Sequence, residues 1–368
     1  MVVKIKMANT LERLFDKSIQ TLHVKIDILD INDNKVDTLE GVFLSGNITI
    51  SNNDIVRRTI TMDFFTTNKT KIKEGSCLWI DRRIQPYIGI EHSSKKIEWF
   101  NLGIYVISNP TEMESANGFT VSIQGYDKMY NYHNNFMYST VIEANTPIHE
   151  TIRLIGELNG ETKFKITQNE YVIPYDRELT SETEMLDELK GICELYMYFQ
   201  VYYDLDGYLV YEPTNTRSDD TIYWTFDNKD KKNEISRNVI YDFDSIKNWI
   251  KVIGDMDSDS GYQPSYELKI EDNSKFSVQK IGRRWKSYEM SDYTTVEQCK
   301  QKCEYEMEQA QRLSNSFSIE CSPIYLLNDV NKLIKIIHDG VEYICIIDEI
   351  SMPIGLGSMN ITAHITDR

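Results

Sequence analysis

Polar and apolar residues alternate along much of the first third of the chain. Leu22, Val24, Ile26 and Ile28 alternate with His23, Lys25 and Asp27, and Ile60, Met62 and Phe64 with Thr59, Thr61 and Asp63. Phe119, Val121 and Ile123 alternate in the same way with Thr120, Ser122 and Gln124. A period of two puts one side of a strand on a core and the other in water or against a partner. Between these stretches lie Val42–Ile50, Cys77–Ile80, Tyr87–Ile90 and Ile97–Ile107, broken by Gly, Asn, Asp or Pro. Six or seven short strands within about 110 residues predict a closed antiparallel barrel or sandwich.

The period then changes. Thr146 is placed to cap a helix with Pro147 at its first position, and Ile148, Ile152 and Ile155 fall on one face. Ser181 and Glu184 have capping-box spacing ahead of Met185, Leu186, Leu189, Ile192 and Cys193. Strand-like Leu195–Tyr203 follows, then the turn signal Asp206-Gly207 and Tyr208–Tyr211. Residues from about 213 to 245 are polar, with one strand expected at Thr221–Phe226. A second β-rich region opens at Ile246. In it, Thr294 and Glu297 form a capping box ahead of an apolar stripe of Val296, Cys299, Cys303, Met307 and Ala310. The chain ends in a meander. Phe317, Ile319 and Cys321 alternate, Leu333–Ile337 and Tyr343–Ile347 flank Asp339-Gly340, and Met359, Ile361, Ala363 and Ile365 alternate. The expected class is a β-rich α+β fold with two antiparallel β-barrel domains. The first barrel covers 21–135, a small α/β insert 136–215, and the second barrel 246–368 with a helix at 294–313.

Composition narrows the function. The 368 residues are enough to bury a core without disulfide or metal staples, and suggest two to three domains. Asp and Glu number 57 against 40 Lys and Arg, a formal charge of −17, which excludes a general DNA or RNA binder because none of the required basic excess exists. Tyr outnumbers Phe 23 to 13, as suits half-buried strands and interfaces. No apolar run is long enough for a signal-peptide core or a membrane span, so synthesis and folding in a cytoplasm are expected. Cys77, Cys193, Cys299, Cys303, Cys321 and Cys345 form no CxxC pair and read as free thiols.

The search for chemistry ends without a catalytic, cofactor or metal site. His149-Glu150 begins a zinc-protease pattern, but Arg153 stands where the second histidine is needed. Gly355-Leu-Gly357-Ser-Met-Asn360 lacks a third glycine and lies between strands, not at a helix start. Asp255, Asp257 and Asp259 alternate as in a calcium loop, but the glycine at 261 comes one residue late and Tyr266 replaces the bidentate Glu; an acidic solvent loop is the better reading. Cys299 and Cys303 belong to a core stripe more readily than to a metal. Arg283-Arg284-Trp285-Lys286 mixes basic and aromatic residues and reads as a salt-bridging interface, with single-stranded nucleic acid or sugar as alternatives.

A set of strands and turns nevertheless resembles a known family. The set comprises Gly41–Ile50, Arg57–Met62, Ile90, Trp99–Ile107, Phe119–Asp127, Lys247–Gly254, Phe276–Gly282, Ile324–Val330 and Asn360–Ile365. It is similar, from about residue 21 to 368, to the baseplate hub (tail hub) proteins of tailed bacteriophages and phage-tail-like particles. The resemblance implies a non-enzymatic homotrimer with two tube-like barrels per subunit. Such a ring adapts a six-fold tail tube to a three-fold spike or tip. The implied partners are the tail tube or distal tube protein, the central spike, the tape-measure protein's C-terminus and neighbouring baseplate proteins, with DNA passing through and no membrane insertion by this chain. It also implies that 216–245 returns to complete the first barrel, and that a short lead at 1–20, with a helix at Leu11–Ser18, departs from the family. A cell-wall enzyme would then be a separate protein. The competing expectations are a tail-associated cell-wall hydrolase and a carbohydrate-binding tail adhesin.

Overall fold

The computed structural model describes residues 21–92, 94–115, 118–214, 221–227, 233–257, 260–312 and 315–366. The expected lead at 1–20 and its helix lie outside them. The first eight strands are β1 (Leu22–Leu29), β2 (Lys35–Glu40), β3 (Phe43–Ser51), β4 (Arg58–Phe65), β5 (Arg83–Glu91), β6 (Ile97–Asn101), β7 (Tyr105–Ser115) and β8 (Gly118–Tyr126). A 3₁₀ turn, Lys128–Tyr132, leads into β9 (Thr140–Ile142), α1 (Ile148–Leu158), β10 (Phe164–Ile166), β11 (Arg177–Leu179), α2 (Met185–Leu195), β12 (Phe199–Tyr203) and β13 (Leu209–Pro213). Then come β14 (Ile222–Asp227), β15 (Glu234–Tyr241), β16 (Trp249–Ile253), β17 (Ser265–Lys269), α3 (Val278–Ile281), β18 (Trp285–Glu289) and α4 (Val296–Arg312). The chain closes with β19 (Asn315–Cys321), β20 (Leu333–His338), β21 (Val341–Pro353) and β22 (Met359–Ile365).

Alternation sets the buried face as expected. In β4, Arg58, Ile60, Met62 and Phe64 are buried while their neighbours are not. Pairing, however, does not make two barrels. One sheet of 14 strands runs β15-β19-β22-β21-β3-β4-β8-β7-β5-β1-β2, with β6 on β5, β20 on β21 and β14 on β20. Among the described residues this path does not close on itself. Periodicity tells which face of a strand is buried; it carries no information about which strand lies along each edge. The seam is β21, a strand of 13 residues. Its first half pairs with β20 and its second half with β3, placing Ile350 opposite Ile50. Both side chains are fully buried in a single core shared by strands from the two ends of the chain. Ile350→Val should therefore cost about 1 kcal/mol, read from the urea midpoint at unchanged m-value.

A second core gathers α1, α2 and β12–β13 with Ile250, Val252, Tyr293, Cys299, Cys303 and Met307. Packing thus divides the expected unit 246–368. β16–β18 and α4 join the insert, while β19–β22 join the large sheet. The segment 216–245 is also corrected. β14 pairs in parallel with β20, and β15 pairs with β19, so both extend the C-terminal strands and neither completes the N-terminal ones.

Local signals fared unevenly. Both expected turns form, with Gly207 at φ 78° and Asp339-Gly340 at φ 51° and 78°. Cys77–Ile80 is a turn segment, not a strand, although Cys77 and Leu78 are buried. The α4 cap is shifted by one residue: the Gln298 side chain accepts from both Thr294 and Thr295, and Gln298 N–H donates to Thr295 Oγ1. Glu184 occupies the N-cap position of α2 without a side-chain cap bond, because its carboxylate is engaged by His133 at 2.6 Å. Pro147, expected as the first residue of α1, sits at its cap, and no side-chain cap bond forms there.

Candidate functional site: the joint and the open surfaces

Two knots of buried charge tie the large sheet to the second core. The first begins at Arg58. Its place in the inward phase of β4 buries a guanidinium, which demands partners. Arg58 meets Asp329 at 2.5 Å, donates from Nη1 to the Tyr203 carbonyl, and donates its backbone N–H to Asp127 at 2.8 Å. Asp127 also accepts from Met129 N, opening the 3₁₀ turn. Arg57, pointing the other way, donates to Gln200 at 2.8 Å and lies 3.6 Å from the Tyr202 ring centre. Burial pushes the Asp127 carboxyl up to about 6, against the pull of Arg58. A carboxyl raised in this way adds stability below its unfolded value and loses it as pH rises through the folded one. Asp127→Asn, which stays neutral and keeps an acceptor, should gain about 2–3 kcal/mol on wild type between pH 4 and pH 7. Parallel pH profiles of the two proteins would exclude a raised Asp127.

The second knot joins the tips of two hairpins. Asp33, in the β1–β2 turn, meets Arg83 at 2.5 Å, Lys128 at 3.0 Å and Lys163 at 3.2 Å. Lys128 also meets Glu161 at 2.6 Å and donates to the Gly207 carbonyl in the β12–β13 turn. Glu161 accepts from the Tyr203 hydroxyl, itself in contact with Tyr132. Burial raises both the Asp33 and Glu161 carboxyls, but Lys128 and the other donors outweigh it and hold them below the usual range. A polar cavity of about 40 Å³ lies among Asp33, Lys128, Glu161 and Tyr203, room for one water. Such a constellation locks two modules into one body. With every carboxylate matched by a cation or hydroxyl, it offers no free acid–base pair.

The candidates named from sequence do not converge. Asp257 turns its own loop, taking Ser260 N–H on its carboxylate and Gly261 N–H on its carbonyl. Asp255 N–H is held by the Tyr293 carbonyl, and Asp259 lies outside the described residues. Tyr266 packs against the second core. Cys299 and Cys303 are fully buried there, and burial raises both thiols, Cys303 to about 11, keeping them protonated. His149 is on α1, whose Arg153 lies over the Phe164 ring. Gly355–Asn360 spans the β21–β22 hairpin, with Tyr325 Oη donating to the Pro353 and Gly355 carbonyls. Among the described residues no group of three or more His, Cys, Asp or Glu gathers as metal ligands, and no helix is long and apolar enough to cross a membrane.

Surfaces remain. The main path of the large sheet ends in β2 on one side and β15 on the other, its side strands β6 and β14 each pair on one edge, and among the described residues none of these four outer edges is paired. Around β15, Ile235, Ile240, Tyr241 and Phe243 are exposed; near β2, Ile31 and Val36 are exposed. A trough of about 390 Å³ on the small sheet contains Trp249, Lys251, Arg283, Trp285 and Lys286. Sequence reasoning found only the 283–286 half of it, since Trp249 and Lys251 come from a strand further back.

No protein-family model matches the chain, and no curated protein matches its sequence. Solved structures do match its fold over nearly its whole length. A tail protein from Neisseria meningitidis MC58 superposes with a TM-score of 0.64 at 9% identity, over 93% of this chain and 96% of that one. The 43 kDa tail protein of prophage MuSo2 from Shewanella oneidensis gives 0.61 at 12% identity, covering 94% and 98%. The prophage tail protein gp18 from Listeria monocytogenes EGD-e gives 0.57 at 14% identity, covering 93% and 94%. The fold is one shared with phage tail proteins.

Proposed function

We propose that this chain is a structural baseplate hub: a homotrimer, without catalytic activity, that joins a tail tube to a central spike in a virion tail and leaves a channel for DNA. The observation that carries the reading is the correspondence in fold over 93–94% of this chain and 94–98% of three tail proteins. The free edges of the large sheet support it. A sheet whose main path has one free edge at β2 and another at β15 suits a head-to-tail contact, and such contacts close into rings when the rotation allows. Exposed apolar side chains flank both edges, as an interface requires. Three subunits bring three times −17 formal charges; carboxylates facing the bore would keep passing DNA from sticking.

Light scattering tests the reading. The pure chain should weigh three times 43.0 kDa and co-sediment with tube or spike protein. Ile240→Lys in β15 should weaken the trimer at least about tenfold while leaving the far-UV circular dichroism spectrum native, which shows that the variant folds. A lasting monomer that binds neither tube nor spike would defeat the hub, and clearing of peptidoglycan by the pure chain would defeat the non-catalytic part.

A further inference from the structure

We infer that the open face of the small sheet β17-β16-β18 docks an acidic peptide segment of a partner protein, one whose carboxylates alternate with proline or aromatic residues. Ile250 and Val252 are fully buried in the second core, which α4 closes with Cys299 and Cys303. Strand geometry therefore turns Trp249 and Lys251 to the opposite face. The register sets Lys269, Trp249 and Trp285 in one row across the three strands, and Glu267, Lys251 and Ser287 in the next. Trp285 is 68% exposed, a large apolar plane left in water. Lys269 Nζ lies 3.8 Å from the Trp249 ring centre, and Arg283 lies 5.7 Å from it.

Charge identifies the occupant. Glu267 is the single carboxylate lining the trough, and at 3.7 Å it is matched to Lys269. Among the described residues no carboxylate pairs with Lys251, Arg283 or Lys286. A chain of −17 thus gathers a local cationic excess around two indoles. Carboxylates answer the cations, and the C–H face of a proline ring or the plane of an aromatic residue covers Trp285. The outer edge of β18 is unpaired among the described residues, so an extended segment has main-chain partners there as well. A nucleic acid is a poorer fit, because its phosphates would run on over an acidic protein. The kind of partner, a protein, rests on the assembly reading above.

The test uses the full chain and a labelled peptide of alternating Glu and Pro, followed by fluorescence anisotropy. The peptide should bind, more weakly as salt rises, and lose at least about tenfold in affinity in Trp285→Ala and in Lys251→Glu. Both positions are exposed, and unchanged unfolding midpoints will show that the variants fold. No binding, equal binding of a Gln-Pro peptide, or tighter binding of oligodeoxythymidylate or oligogalacturonate would overturn the inference. So would self-association abolished by Trp285→Ala, which would make a second copy the occupant. Mass is measured on the same samples. A trimer that ignores the peptide defeats the docking alone, and a lasting monomer that binds the peptide but neither tube nor spike protein defeats the hub alone.

Discussion

Replacing Arg58 by Met will destabilise the protein by about 3–5 kcal/mol, the largest single effect expected from a surface-neutral change of this size. The side chain is 1% exposed, so the loss is not of a solvated ion pair. Methionine fills much of the volume but leaves the half-buried Asp329 carboxylate without its guanidinium and the Tyr203 carbonyl without its donor. Those two groups belong to different modules, one in the loop before β20 and one at the end of β12. Denaturation of wild type should therefore show one transition and that of the variant two, followed by tryptophan fluorescence and far-UV circular dichroism. Adding Asp329→Asn should recover part of the loss, because it removes the orphaned charge. A single transition with a loss below about 1 kcal/mol would mean that Arg58 is incidental to the joint.

Lys128→Met is expected to cost about 3 kcal/mol at pH 7, with a pH signature of its own. Lys128 is 4% exposed and serves Asp33 and Glu161 together. Both carboxyls are held low in the native protein, so they contribute stability above their unfolded values that is lost as pH falls through the folded ones. Without the ammonium both rise, Glu161 more than Asp33, which keeps Arg83 and Lys163. The deficit of the variant should then shrink on acidification towards pH 4, as protonation neutralises what the lysine no longer does. Lys128→Met with Glu161→Gln should restore part of the stability at pH 7 and flatten the profile. A deficit independent of pH would point to packing of the lysine stem instead.

The sequence was most informative where a choice is local. Strand faces in β4 and β22, Val121 and Ile123 of β8, the buried Cys299, Cys303, Met307 and Ala310 of α4, and the turns at Asp206-Gly207 and Asp339-Gly340 follow from spacing or from residues that tolerate positive φ; β1, where Asp27 is buried beside Ile26 and Ile28, and the exposed Phe119 and Val296 do not. Partnering was not legible, since Asn47 and Pro353 meet across most of the chain and nothing in either neighbourhood marks the other. The division of 246–368 between two cores failed for the same reason. Arg58 was half legible: it stands in phase with Ile60, Met62 and Phe64, and that phase alone places a cation inside. Its partners, and those of Lys128, come from distant turns. The docking trough was visible as a basic aromatic run, but the second indole needed the register of β16 against β18.

The seam at β21 also sets a timetable for synthesis. β3 is complete at Ser51, yet the strand that covers its outer edge ends at Pro353. At about 5–20 residues per second, roughly 15–60 s pass on the ribosome before that edge is covered. Throughout that interval the nascent chain carries an unpaired, half-apolar strand, the species that chaperones are there to shield. The insert can fold meanwhile from its own neighbours. The large sheet cannot, and every nonsense mutation between β3 and β21 yields a polypeptide with the same sticky margin, whatever else of it has folded.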